Sequence, residues 1–261
     1  GEVTMDYIYE IVLVYGMYIR YYILLLNRNQ LRKLINECES LWNECNDAEH
    51  RLIVKFERKV RKLFLFLFYS SNFVNVLYIA AAVNLNRHAV TSNTTDTRVL
   101  PAKWFVVDRV DAWPGYEVTF FLQVLLIFNA CIVSSIADSS APILMMFSSG
   151  YFATLTKRFE DMVMTEDREQ FDRQFVAASK FHQKLLHFSN GINKVGQMLF
   201  LCQLLCSGYN MSIIGIKLSG TDPHRFKYLP NLLTSLAELL ICQYAPDYLL
   251  TESEAVSTAA Y

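Results

Sequence analysis

The chain has 261 residues, of which 53% are hydrophobic, 14% aromatic and only 19% charged, with a formal net charge of −1. So apolar a composition at this length does not read as a soluble domain, and the near-neutral balance argues against a nucleic-acid binder. The sequence begins at Gly1 without a charged leader segment, so no signal peptide is expected, and it reads as an internal fragment of a longer chain.

The first predicted element is an apolar helix over residues 7–26 (YIYEIVLVYGMYIRYYILLL), interrupted by Glu10 and Arg20. A helix rises about 1.5 Å per residue, so about twenty apolar residues cross a hydrocarbon core of roughly 30 Å. Arg20 lies near one end of this span and is expected to snorkel toward the interface. The charged stretch that follows carries Leu31, Leu34, Ile35, Cys38, Leu41, Trp42 and Cys45 at helical spacing, with charges on the other face. This is an amphipathic helix outside the membrane.

Residues 63–83 (LFLFLFYSSNFVNVLYIAAAV) contain no charge and form the second span. Ser71, Asn75, Tyr78 and Ala82 share one stripe of it. The loop 84–117 holds the sequon Asn93-Thr94-Thr95, which makes Asn93 a candidate glycosylation site. Residues 118–156 carry a single charge, Asp138, and as one helix would reach about 58 Å at about 1.5 Å per residue. The third span is therefore placed at 118–142, ending in a kink at Pro142 or in a helix that projects beyond the bilayer.

Phe171, Phe175, Ala178, His182, Leu185 and Ser189 predict a second amphipathic helix, and the two such helices suggest a bundle below the membrane. Lying flat on lipid is the alternative. Residues 195–216 form the fourth span, uncharged throughout, and 228–244 the fifth, interrupted by Glu238. The fold class is thus all-α: a polytopic membrane helical bundle with cytosolic helical extensions, occupying 1–261 as a single domain.

Lys and Arg counts set the orientation. Loops 27–62 and 157–194 together hold sixteen, against seven in 84–117 and 217–227. By the positive-inside rule the first pair is cytosolic, which leaves Asn93 outside.

No catalytic pattern stands out. His182 and His187 are five apart, a spacing that separates them on a helix, so no metal site, cofactor or enzymatic activity is expected. Four of the six cysteines lie in apolar spans and two, Cys38 and Cys45, in the charged segment, so they read as small buried hydrophobes. The outer halves of the spans are rich in aromatic side chains with a few hydroxyl and amide groups, which suits a small volatile organic ligand. An aromatic belt with ordinary helix packing is the competing reading.

Four segments carry a resemblance: LLLNRNQLRKLINECESLWNE (24–44), WPGYEVTFFLQ (113–123), HFSNGINKVGQMLFLCQLLCSG (187–208) and ICQYAPDYLLTESEAVSTAAY (241–261). They are similar to segments of the insect odorant receptor family, the seven-span odorant-gated cation channels of olfactory neurons. The resemblance covers essentially the whole chain. It implies that the five spans are spans two to six of seven, so that the first span and the pore-lining seventh lie outside these residues. A glycine usual in the last segment is replaced by Ala245-Pro246, which predicts an altered turn there.

The resemblance further implies an odorant-binding subunit in the plasma membrane of the neuron's dendrite. Its partners would be the family's co-receptor, in a hetero-oligomer expected to be a tetramer, and membrane lipid, with no nucleic acid. The candidate odorant-binding residues are Tyr9, Asn75, Tyr78, Phe120, Val124, Phe128, Tyr228 and Asn231. A gustatory receptor of the same superfamily is the nearest alternative, and a secondary transporter the more distant one.

Overall fold

A computed structural model describes residues 2–91, 100, 114–163, 167–220 and 228–260, and their side chains except those of 2–10, 13, 88–91, 163 and 260. These form six α-helices: α1 (Glu2–Leu26), α2 (Arg28–Asn43), α3 (Asp47–Thr91), α4 (Gly115–Val163), α5 (Arg168–Ser219) and α6 (Leu229–Ala260). There is no strand among the described residues.

The helix starts are written in local chemistry. At the start of α3, Asn46 Oδ1 accepts hydrogen bonds from the backbone of Ala48 and Glu49, both 3.0 Å, and Glu49 Oε2 accepts from Asn46 N at 2.8 Å. The two residues cap each other reciprocally, and Asp47 and Glu49 place negative charge on the positive end of the helix. Asp167 caps α5 in a similar way, its Oδ1 accepting from Glu169 N at 3.0 Å. Asn27 separates α1 from α2 and donates its amide to Ile23 O at 2.9 Å.

Three helices, α3, α4 and α5, are long and apolar enough to cross a membrane, and α1 contains the shorter apolar stretch Val14–Leu26. Helix α4 continues through Pro142. Pro142 cannot donate to the carbonyl one turn back, and nearby Ser140 gives its hydroxyl to Ala137 O at 3.0 Å. The altered turn expected at Ala245-Pro246 is likewise absent, since α6 continues through it.

Backbone contacts divide the chain into two units. The second unit comprises 22–65, 137–201 and 239–261. Its interior is a conventional apolar core in which Leu34, Ile53, Tyr151, Phe181, Leu185 and Phe188 are almost fully enclosed. The helical extensions are therefore a packed bundle.

The phase of α5 differs from that expected: Ala178, Phe181, Leu185 and Phe188 face inward, while Phe171 and Phe175 are exposed and stack on each other at 6.1 Å. Phe181 and Phe188 win the inward positions because both make edge contacts with the ring of Tyr151. The Tyr151 hydroxyl donates to Cys38 O at 2.8 Å, so this large buried polar group is satisfied. A Cβ added at Gly150 would stand 3.2 Å from Ile53 Cα, so α3 and α4 touch backbone to backbone there.

Arg158 locks the edge of this unit. Its guanidinium donates to both Glu49 oxygens, at 2.6 and 2.9 Å, and to Glu44 O at 3.1 Å, and it lies 4.4 Å from the centre of the Phe181 ring. Burial alone would raise the Glu49 carboxyl, but hydrogen bonds from Arg158 and Asn46 hold it below its ordinary value. The nearby Cys45 thiol is pushed up to about 11 by burial and by the charges of Glu49 and Glu44, so it is a neutral packing group at neutral pH.

Removing one partner of an enclosed ion pair strands the other. Arg158→Met is expected to destabilise this unit by about 3 kcal/mol, read as a lower thermal unfolding midpoint in detergent micelles. A carboxyl with a depressed folded pKa stabilises above its ordinary range and loses that contribution as pH falls through the folded value. The unfolding midpoint should therefore drop on acidification below about 4.3, and this component of the drop should vanish in Glu49→Gln.

Candidate ligand-binding site

The first unit comprises 1–21, 66–136 and 202–238. Its described side chains are arranged opposite to those of the second. Large apolar groups point outward: Phe66, Tyr69, Phe73, Phe121 and Leu205 are each more than 60% exposed. The inward positions are small or polar: Val74, Ala82, Ala130, Gln123, Ser134, Gln203, Ser207 and Ser235 are buried. In water this distribution would be costly. In hydrocarbon it is expected, because lipid is as apolar as leucine and helices associate through small residues and interhelical hydrogen bonds.

Arg20 illustrates the same physics and corrects an expectation. It does not snorkel; it is 6% exposed, donating Nε to Gly16 O and Nη2 to Ser134 Oγ, both at 3.2 Å. A guanidinium in a span is retained where the protein interior supplies acceptors. Gly16 also sets the approach of α1 to α5, since a Cβ there would lie 2.7 Å from Cys206 Sγ.

The predicted ligand residues fall as follows. Asn75 and Tyr78 of α3, and Phe120, Val124 and Phe128 of α4, are half-buried. Tyr228 and Asn231 are half-buried at the start of α6. The side chain of Tyr9 and the whole of Asn93 lie outside the described residues.

Phe120 and Tyr228 each contact residues outside the predicted set. The Phe120 ring lies 5.9 Å from that of Tyr116, whose hydroxyl accepts from Asn86 Nδ2 at 2.6 Å. Tyr228 packs against the buried pair Ile213 and Ile214 and receives Lys217, whose Nζ is 4.7 Å from the ring centre and 3.4 Å from the hydroxyl.

The sequence reading passed over a polar row on α5. Gln203, Ser207 and Asn210 follow one another at spacings of four and three, in line with the fully buried Ile214. Gln203 Nε2 donates to Ser207 Oγ at 3.3 Å, and Asn210 Nδ2 donates to Ser235 Oγ of α6 at 2.9 Å. The helical spacing of three polar groups within an uncharged run was the signal available.

No group of three or more His, Cys, Asp or Glu side chains among the described residues is placed to hold a metal ion. A surface cleft lined by Glu37, Ser40, Leu41, Lys184 and His187 lies in the second unit, where Lys184 is bonded to Glu44 and His187 approaches Glu37 at 3.5 Å. Four of its five lining residues carry a polar or charged group.

Residues 2–261 match the family described as 7tm Odorant receptor. The chain belongs to the odorant receptor family. A search of the curated proteins found no match. Family membership, together with three apolar helices long enough to cross a bilayer, makes this a multi-pass membrane protein with a chemosensory receptor role.

Hydrogen bonds between membrane helices contribute modestly. A double-mutant cycle on Asn210→Leu and Ser235→Ala is expected to give a coupling of about 0.6 kcal/mol, at most about 2, by thermal unfolding in micelles. Zero coupling would show that this contact does not hold α5 to α6.

Proposed function

We propose that this chain is the odorant-binding subunit of a heteromeric odorant-gated cation channel that serves the sense of smell. The observation that carries the reading is the family match along residues 2–261, and the half-buried aromatic and amide groups of α3, α4 and α6 support it. The spans are 7–26, 63–83, 118–142, 195–216 and 228–244, corresponding to spans two to six of the family's seven. Segments 27–62 and 157–194 are cytosolic, and Asn93 is exposed to the outside and glycosylated. The receptor sits in the plasma membrane of an olfactory neuron's dendrite beside the family's co-receptor, in a tetramer.

The ligand is a small volatile organic molecule held by Tyr9, Asn75, Tyr78, Phe120, Val124, Phe128, Tyr228 and Asn231. Aromatic side chains supply most of the contact area, and the amides fix orientation. Binding opens the channel only to the extent that the odorant binds the open arrangement better than the closed one. A ligand with equal affinity for both would occupy the site and gate nothing.

Tyr78→Ala in the full-length receptor, co-expressed with the co-receptor, is the test. Removing a half-buried ring from a small ligand's pocket is expected to raise the half-maximal odorant concentration about tenfold or more, with surface labelling unchanged. A superimposable dose–response curve would remove Tyr78 from the pocket.

A further inference from the structure

Between Arg51 and Lys62, helix α3 carries six basic residues and one acid, Glu57. Two of the six are engaged: Lys59 Nζ donates to the Tyr248 hydroxyl at 2.6 Å, and Arg61 pairs with Glu57 at 3.3 Å. The other four, Arg51, Lys55, Arg58 and Lys62, follow one another at spacings of four, three and four, so they form one stripe along the helix. All four are exposed, and among the described residues their side chains make no hydrogen bond or ion pair. Ile53, Phe56 and Val60 are buried on the opposite face, so the stripe adds nothing to the core.

The uncharged run 63–83 begins one residue after Lys62, and Leu65, three residues beyond Lys62 on the same side of the helix, is exposed. The positive-inside rule accounts for a surplus of Lys and Arg beside a span, but it takes no account of helix face. Here the engaged charges lie off the stripe, and the four that share a face have no counter-ion. Like charges three and four residues apart repel. A polyanion laid along the stripe would turn that repulsion into attraction.

Depth narrows the choice of anion. At about 1.5 Å per residue, Arg58, Lys55 and Arg51 lie about 6, 10 and 16 Å beyond Lys62, away from the hydrocarbon. The headgroup layer on each side of a bilayer is about 5 to 8 Å deep. A lipid whose only phosphate lies in that layer meets Lys62 and Arg58. A lipid whose headgroup carries further phosphates, projecting past the layer, meets Lys55 as well, and the guanidinium of Arg58 can take a phosphate in a two-point grip.

We propose that the Lys55–Arg58–Lys62 stripe of α3, extended by Arg51, is a docking surface for an inositol lipid that carries phosphates on its ring, in the cytosolic leaflet. The inference rests on the reading that segment 27–62 is cytosolic and goes beyond the odorant-channel role. The receptor's behaviour then depends on the phosphorylation state of the membrane around it as well as on the odorant.

The test is a polarisation titration of the purified full-length receptor in micelles, with a fluorescent short-chain phosphatidylinositol 4,5-bisphosphate as the probe. Saturable binding that weakens with added salt is expected. Each basic group near an anionic headgroup contributes about fivefold, so Lys55→Gln with Arg58→Gln should weaken binding about tenfold or more. Both side chains are exposed and without partners, so the fold is undisturbed. Arg173→Gln with Lys180→Gln removes the same charge from α5 at positions about 33 and 22 Å from the uncharged run 195–216, and binding should hold. Short-chain phosphatidylserine should displace the probe at least about tenfold less effectively than the unlabelled bisphosphate.

Absence of binding overturns the proposal, as does equal weakening by the two double variants, which reduces the effect to net charge. Equal displacement by phosphatidylserine overturns it in favour of a diffuse surface attraction. Loss of probe binding when the co-receptor is added assigns the stripe to the partner subunit and also overturns it. The micelle titration is blind to orientation, so the topology is tested separately. Lys55→Cys should react with a membrane-impermeant maleimide, above the level of the unsubstituted receptor, only after cells are permeabilised. Labelling in intact cells contradicts the cytosolic placement, and the proposal with it.

Discussion

The hydrocarbon core offers no hydrogen-bond partner, and this one constraint decides most of the molecule. Backbone groups that cross it must pair within their own segment, so the long apolar stretches of α3, α4 and α5 are helical. Side-chain polar groups that enter it must find partners inside the protein. Arg20 on Gly16 O and Ser134, and Asn210 on Ser235, answer that demand in the first unit. The same constraint explains why phenylalanine and leucine point outward there, while serine, alanine and glutamine point inward.

The second unit obeys the ordinary physics of a water-exposed bundle. Its core is apolar, the starts of α3 and α5 are capped, and its enclosed ion pair is bidentate and flanked by a ring. The two units thus use opposite rules for what goes inside, although α3, α4, α5 and α6 each contribute residues to both. The change of rule falls where charges stop: Lys62 is the last charge before the uncharged stretch of α3, and Lys194 the last before that of α5.

That change is why the fold class was legible in the sequence. Uncharged runs of spanning length have no other stable home, and Leu34, Cys38 and Leu41 at helical spacing in a charged segment marked the bundle. What resisted reading was rotation. Nothing in the spacing of Phe171, Phe175 and Ala178 told that Phe181 and Phe188 would take the inward face instead, because that choice depends on Tyr151, distant in sequence. Arg20 escaped for the same reason, since its acceptor Ser134 sits 114 residues away. At the candidate site the aromatic stripes of α3 and α4 were readable as stripes. The Gln203–Ser207–Asn210 row was passed over because amides in an apolar run look like helix glue until the hydrogen bonds are counted and two oxygens are left over.

Whole-cell recording tests the central claim most directly: the full-length receptor, expressed with and without the insect co-receptor, is exposed to an odorant panel. The account predicts a fast cation current that appears only when both subunits are present. A current from the receptor alone would contradict the heteromeric odorant-channel account and point to the gustatory branch of the superfamily. Ligand uptake without current would point to a transporter.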